Sequence, residues 1–159
     1  MATYGGQNVG ARKLDRISQG LKDCVLLGAI YSVIAFVVIY FFSDVIALLF
    51  VDASETEILH NTRTFLMFNV SFYFPLALVN IVRFMIQGLG YSKLAILAGV
   101  CEMVARSAVA FCLVPVFGYN GACFSNPAAW IAADLFLIPA YLYVMRRVED
   151  FFAGKREQL

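Results

Sequence analysis

The sequence predicts an all-α membrane protein: a polytopic bundle of four transmembrane helices. Three observations point to it. Hydrophobic residues make up 62% of the 159 and charged residues only 14%, where a soluble domain is about half apolar and about a quarter charged. The mean hydropathy is +0.79, more apolar surface than so short a chain can hide from water. The apolar residues also fall in long runs near the ~20 residues that a bilayer core requires, with basic residues flanking alternate ends.

The elements follow in order. Residues 1–8 are small and polar and read as a tail. Residues 9–22 read as a short amphipathic helix for the membrane interface, with Leu14, Ile17 and Leu21 on one face and Arg12, Lys13, Arg16 and Lys22 supplying charge. A plain solvated linker is the simpler alternative. Residues 1–23 thus precede the bundle, which spans 24–148 with helices expected at about 24–43, 65–86, 94–114 and 122–145. A cytoplasmic tail, 149–159, follows. Helices are required because every backbone amide must find its partner inside its own segment. A lipid-facing barrel would show short alternating strands, and these runs do not alternate. Pro75 and Pro139 fall inside the second and fourth runs; each removes a backbone donor, so kinks are expected there.

Orientation follows from the basic residues. Arg12, Lys13, Arg16 and Lys22 precede the first helix. The loop after it carries Asp44, Asp52, Glu55 and Glu57 against Arg63. Lys93 lies in the second loop, the third (115–121) is uncharged, and Arg146, Arg147, Lys155 and Arg156 follow the last helix. This places both termini and the second loop in the cytoplasm. Short loops fit a bacterial inner membrane. The first apolar run is too long for a secretory leader and lacks a cleavage site, so it is expected to insert as a helix.

Lipid-facing helix sides carry Leu, Ile and Phe, whereas small and polar groups turn toward protein or water. In the second helix Asn69, Tyr73, Leu76, Asn80, Arg83 and Gln87 form one stripe, opposite Met67, Ser71, Phe74, Leu78, Val82 and Met85. In the third, Ala95, Gly99, Glu102 and Arg106 share a face, with the two charges four residues apart in the favoured order for a pair. In the fourth, Asn126, Trp130, Asp134 and Tyr141 oppose Ile131, Leu135, Ile138 and Leu142. Asp134 has no basic residue within a turn and must face protein or water. The candidate pathway residues are therefore Glu102, Arg106, Asp134, Arg83, Asn69, Tyr73, Asn80, Gln87, Asn126 and Trp130. Their plainer roles are an internal ion pair for Glu102 and Arg106, a hydrogen-bonded packing residue for Asp134, and snorkelling to the inner interface for Arg83.

Other chemistry finds little support. Net charge is +1, so no bulk attraction to nucleic acid is implied. Cys24, Cys101, Cys112 and Cys123 lack metal-site spacing and His60 is a lone histidine, so apolar packing and no metal are expected. There is no HExxH, GxSxG or phosphate loop, and an enzyme is not expected.

Several segments resemble the multidrug and toxic compound extrusion (MATE) transporters. They are Gly6-Gln7-Asn8-Val9-Gly10-Ala11 with Arg16-Ile17 and Gly20, Arg83 with Gln87-Gly88-Leu89-Gly90-Tyr91, Glu102 with Arg106, Gly118-Tyr119-Asn120-Gly121-Ala122, and Pro127-Ala128-Ala129-Trp130. The resemblance covers about 3–148. It implies the last four helices of the second lobe of a two-lobed, twelve-helix antiporter, one that expels small organic cations and other drugs against sodium or proton entry. No bound cofactor is implied beyond that coupling ion. The expected partners are the bilayer and either the absent amino-terminal helices or a second copy of the chain. Two alternatives stay open: a lipid-linked oligosaccharide flippase of the same superfamily, and a truncated membrane fragment that does not transport.

Overall fold

The structure, a computed structural model, describes residues 1–156, with side chains to Gly154. Helices account for the architecture, and there is no strand among the described residues. They are α1 (Ala2–Gly10), α2 (Leu14–Leu48), α3 (Thr56–Ser71), α4 (Tyr73–Gly88), α5 (Ser92–Ala108), α6 (Val114–Phe117), α7 (Tyr119–Cys123) and α8 (Ser125–Arg156), with a π-helical turn, Val109–Leu113, between α5 and α6. Among the described residues three stretches are long and apolar enough to cross a membrane: α2, Ser92–Phe117 and Tyr119–Gly154. The pair α3–α4, bent by 51°, makes a fourth crossing if taken as one span. The chain is an all-α membrane bundle.

The amino end differs from the expectation of a polar tail. Residues 2–10 are helical and dock on α4. Glycines permit the contact: a Cβ on Gly5 would lie 2.8 Å from the Met85 sulfur, and one on Gly88 would collide with the Ala2 backbone. Asn8 is buried, and its Nδ2 donates to Tyr4 O at 2.8 Å, while the Tyr4 hydroxyl donates to Arg16 O at 2.7 Å. The chain then turns at Ala11–Lys13. The N–H of Arg12 reaches Val9 O and that of Lys13 reaches Asn8 O, with Arg12 at φ 56°. This is the helix-ending motif that normally uses glycine. The interfacial helix expected at 9–22 is thereby split, and Leu14 onward belongs to α2. Ile17 is fully buried against protein, not laid on lipid.

At 35 residues, α2 extends about 50 Å, well beyond the expected 24–43 and longer than a bilayer core needs. Its lipid side is broad, from Leu26 and Leu27 to Phe41 and Phe42, all exposed. Its packing side uses Gly28, whose Cβ would sit 3.2 Å from Ala77 and Ile81, and the buried Ser32 and Ser43.

The break between α3 and α4 falls at Phe72 (φ −114°), three residues before Pro75. Pro75 cannot donate to Ser71 O and crowds that carbonyl, so the kink expected from the sequence is a change of direction between two helices. By contrast α8 runs through Pro139, which lies on its exposed side, without interruption. In the third span the π turn and α6 replace a regular helix end. Pro115 stands at the start of α6, so the bond to Phe111 O is missing and the preceding turn widens.

Gly90 (φ 91°) ends α4 in another glycine-type turn, with Tyr91 N–H on Ile86 O and Gly90 N–H on Gln87 O. α8 continues as helix to Arg156, through residues expected to form a cytoplasmic tail. The remainder of that tail, and the side chains of Lys155 and Arg156, lie outside the described residues.

The core is centred on α4 and α8. Ile17, Val79, Val82, Met85, Ile86 and Leu137 pack there. Where α5 meets α8 the seam is small: Ala98, Ala129 and Ala133 are each 0% exposed. Small residues matter because lipid gives little hydrophobic drive between helices, so close backbone approach supplies the attraction. Ile131, Leu135, Ile138 and Leu142 on the opposite side of α8 are exposed, as the sequence stripe predicts. The apolar stripe expected to face lipid on the second helix does not do so throughout. Val82 and Met85 are buried, because α4 has α1, α2, α5 and α8 around it.

Candidate functional site

Polar side chains from α3, α4, α5 and α8 meet inside the bundle. Glu102 on α5 is the pivot. It forms the pair expected with Arg106, one helical turn on, at 3.6 Å. Its shorter contact is to the Arg83 guanidinium on α4. Arg83 is therefore drawn into the bundle and held there, in place of the snorkelling alternative. The Arg106 guanidinium also donates to Asn126 Oδ1 at the start of α8. Asn126 Nδ2 in turn donates to Asn69 Oδ1 on α3 at 2.8 Å, and Asn69 Nδ2 donates to Phe65 O. The result is a continuous polar ladder, Arg83–Glu102–Arg106–Asn126–Asn69, that ties four helices together.

Local helix geometry explains the placement. Asn69 lies in the last turn of α3, just before the break at Phe72, so it reaches across to the first turn of α8. Glu102 and Arg106, four residues apart, stand one above the other on α5. Asp134 lies eight residues beyond Asn126 on α8, about 12 Å along the axis. It is only 8% exposed, and among the described residues its Oδ1 has no hydrogen-bond partner; neither does Arg83 Nε. With both carboxylates ionised, the four groups Arg83, Arg106, Glu102 and Asp134 sum to zero. A lone charge at mid-membrane would cost about 2.5–3.5 kcal/mol, so mutual neutralisation is what makes the set tolerable.

The other expected pathway residues divide. Trp130 is buried and its ring meets Tyr73 edge-on, 6.4 Å between centroids. Gln87 is half-buried. Asn80 is exposed, its Nδ2 turned back to Leu76 O, so the stripe on α4 does not converge wholly on the interior. The bend at Phe72 sets Asn69 apart from Asn80, which points out of the bundle instead of into it. Gly99 is also exposed, with open space where a Cβ would stand. Among the described residues no three His, Cys, Asp or Glu side chains come together.

Three contacts of the ladder went unforeseen from the sequence: Arg83–Glu102, Arg106–Asn126 and Asn69–Asn126. Arg83 with Glu102 was open to inference, since two unlike charges within the spans seek each other, but the choice over Arg106 needs the helix positions. Asn69 with Asn126 carried no signal, being far apart in sequence.

A family model, MatE, matches residues 1–112. The chain belongs to the MatE family. No curated protein and no solved structure matches it. The MatE match includes Asn69, Arg83, Glu102 and Arg106 and stops before Asn126, Trp130 and Asp134. The family is one of membrane transporters, and with its apolar spans this MatE chain is a multi-pass membrane transport protein.

Proposed function

We propose that this MatE chain forms the pathway-lining part of a cation-coupled antiporter, driven by sodium or proton entry, that expels organic cations and other drugs. Asp134 is the coupling group. The observation that carries this reading is a carboxylate 8% exposed, inside the bundle, with one oxygen unpartnered among the described residues. Leaving such an oxygen unpaired costs about 1–3 kcal/mol or more. Binding a proton or a cation removes that cost, and exchange of one for the other follows from which side water can reach. Tyr73, half-buried, supplies aromatic surface for the apolar or cationic body of a substrate, with the buried Trp130 edge-on behind it. Arg83 and Glu102 set the charge that Asp134 feels. The chain carries no enzymatic role in this reading.

In this reading the protein lies in a bacterial inner membrane with both termini cytoplasmic, and further helices or a second copy complete the pathway. The flippase alternative would require cations free to hold a pyrophosphate. Both Arg83 and Arg106 are already engaged by Glu102, which favours the antiporter. The test is efflux from proteoliposomes under an imposed sodium or proton gradient. Asp134→Asn is expected to lower gradient-driven efflux at least about tenfold, with the same amount of protein in the membrane. Efflux equal to that of the parent protein removes Asp134 from the mechanism, and absence of efflux by the parent protein itself favours a non-transporting fragment.

A further inference from the structure

Away from the polar ladder, at the basic end of the bundle, residues of α1, the α4–α5 turn and α8 surround an open cavity of about 640 Å³. Val9, Leu89 and Phe152 give it apolar walls, and Tyr91, Arg147 and Asp150 supply its polar groups. Arg147 and Asp150 are three residues apart on α8, so they are neighbours on one face, with about 5–6 Å between Cβ atoms. They carry opposite charges, yet among the described residues no ion pair joins them, and Asp150 has no other ion-pair partner. Arg147 lies instead over the Tyr143 ring, 5.4 Å from its centroid. Arg12, on the turn after α1, stands over the Phe152 ring at 5.8 Å and adds a second cation at the border of the cavity. The cavity also lies at the level of a membrane surface. The apolar run of α8 ends at Arg146 and Arg147, and Tyr91 and Tyr143 stand where amphipathic rings collect.

We infer that this cavity binds the headgroup of a phosphatidylethanolamine lipid, with its phosphate held by Arg147 and its ammonium by Asp150. A guanidinium presents N–H groups that match phosphate oxygens, and a carboxylate accepts from a primary ammonium. A cation and an anion kept apart on one wall complement a headgroup that carries both charges. The apolar walls suit the glycerol backbone and the first methylenes of the chains. Other common headgroups fit less well. Choline carries the same two charges, but its trimethylammonium has no N–H to give Asp150. Phosphatidylglycerol carries no cation and leaves Asp150 facing an anion. The site is separate from Asp134 and independent of ion coupling. A lipid seated there touches three elements of the bundle at once.

The test is lipid binding to the detergent-purified protein, read by native mass spectrometry. Phosphatidylethanolamine, phosphatidylcholine and phosphatidylglycerol with identical acyl chains are titrated one at a time. The first lipid of the ethanolamine series is expected to bind at least about tenfold tighter than either of the others, the effect of one charge-assisted hydrogen bond. Asp150→Asn should bring ethanolamine to within about twofold of choline, and Arg147→Gln should weaken ethanolamine binding at least about tenfold. Both side chains are exposed, so neither change opens the core. Arg146→Gln and Glu149→Gln make the same charge changes on exposed residues outside the cavity wall and should leave the preference intact. Equal binding of ethanolamine and choline overturns the inference, as does a preference that survives Asp150→Asn. Tighter binding of phosphatidylglycerol makes the cavity a site for anionic lipid and overturns the headgroup assignment. Equal losses in Glu149→Gln and Asp150→Asn trace the preference to general surface charge and overturn the site.

Discussion

Replacing Glu102 by glutamine removes a negative charge that Arg83 and Arg106 share, while keeping the side chain's size. Breaking a buried ion pair by deleting one partner costs about 3–5 kcal/mol, because the remaining charge is stranded. Here the pair is incompletely buried, Arg83 being 23% and Glu102 17% exposed, which lowers the figure to about 2–4 kcal/mol. The second contact, to an Arg106 that is 42% exposed at 3.6 Å, adds less than about 1 kcal/mol. For a chain of this size each kcal/mol moves the melting temperature by about 2–4 °C. Glu102→Gln should therefore lower the Tm of the detergent-purified protein by roughly 5–15 °C. Arg106→Gln should cost less than Glu102→Gln. The double variant Glu102→Gln with Arg83→Gln should recover part of the loss, since the stranded guanidinium is gone, and the resulting coupling energy is read from a double-mutant cycle. A Glu102→Gln shift under about 2 °C, or single losses that simply add, would refute the argument that Glu102 is the charge pivot of the bundle.

Glycine positions separate contact from open space. Gly88→Ala drives a methyl group into the Ala2 backbone and should lower the Tm and speed amide exchange in α1, whereas Gly99→Ala meets nothing within 4 Å and should be neutral or stabilising by up to about 1 kcal/mol through helix propensity. Equal effects of the two would show that α1 does not dock on α4. Orientation is checked by single cysteines on exposed positions in a cysteine-free background. Glu57→Cys should react with an impermeant maleimide added outside intact cells, and Ser92→Cys should react only after permeabilisation; the reverse pattern would invert the topology.

Much of the helical layout was written in the residues. Isoleucine and leucine on one side of α8, against Trp130, Asp134 and Tyr141 on the other, had only one way to sit between lipid and protein, because a lone carboxylate in hydrocarbon is too costly. Pro75 announced the break before α4 for the same kind of local reason: a missing donor and a crowded carbonyl. The amino end was misread because its content is locally weak. Glycine-rich residues 1–8 have little helix propensity of their own, and α1 forms where Gly5 and Gly88 let two backbones approach closely.

The sequence by itself determined that lipid surrounds this chain, where its apolar spans lie, and which side of α8 turns inward, since each depends on the solvation cost of residues a few positions apart. Which charge meets which was decided only by the packed helices. Local spacing offers Glu102 the guanidinium of Arg106, but the approach of α4 to α5 gives it Arg83 as well, and the bend at Phe72 brings Asn69 to Asn126 while leaving Asn80 outside. Those contacts join residues 19 and 57 positions apart, and electrostatic pairing at such separations is fixed by where the backbones sit in space.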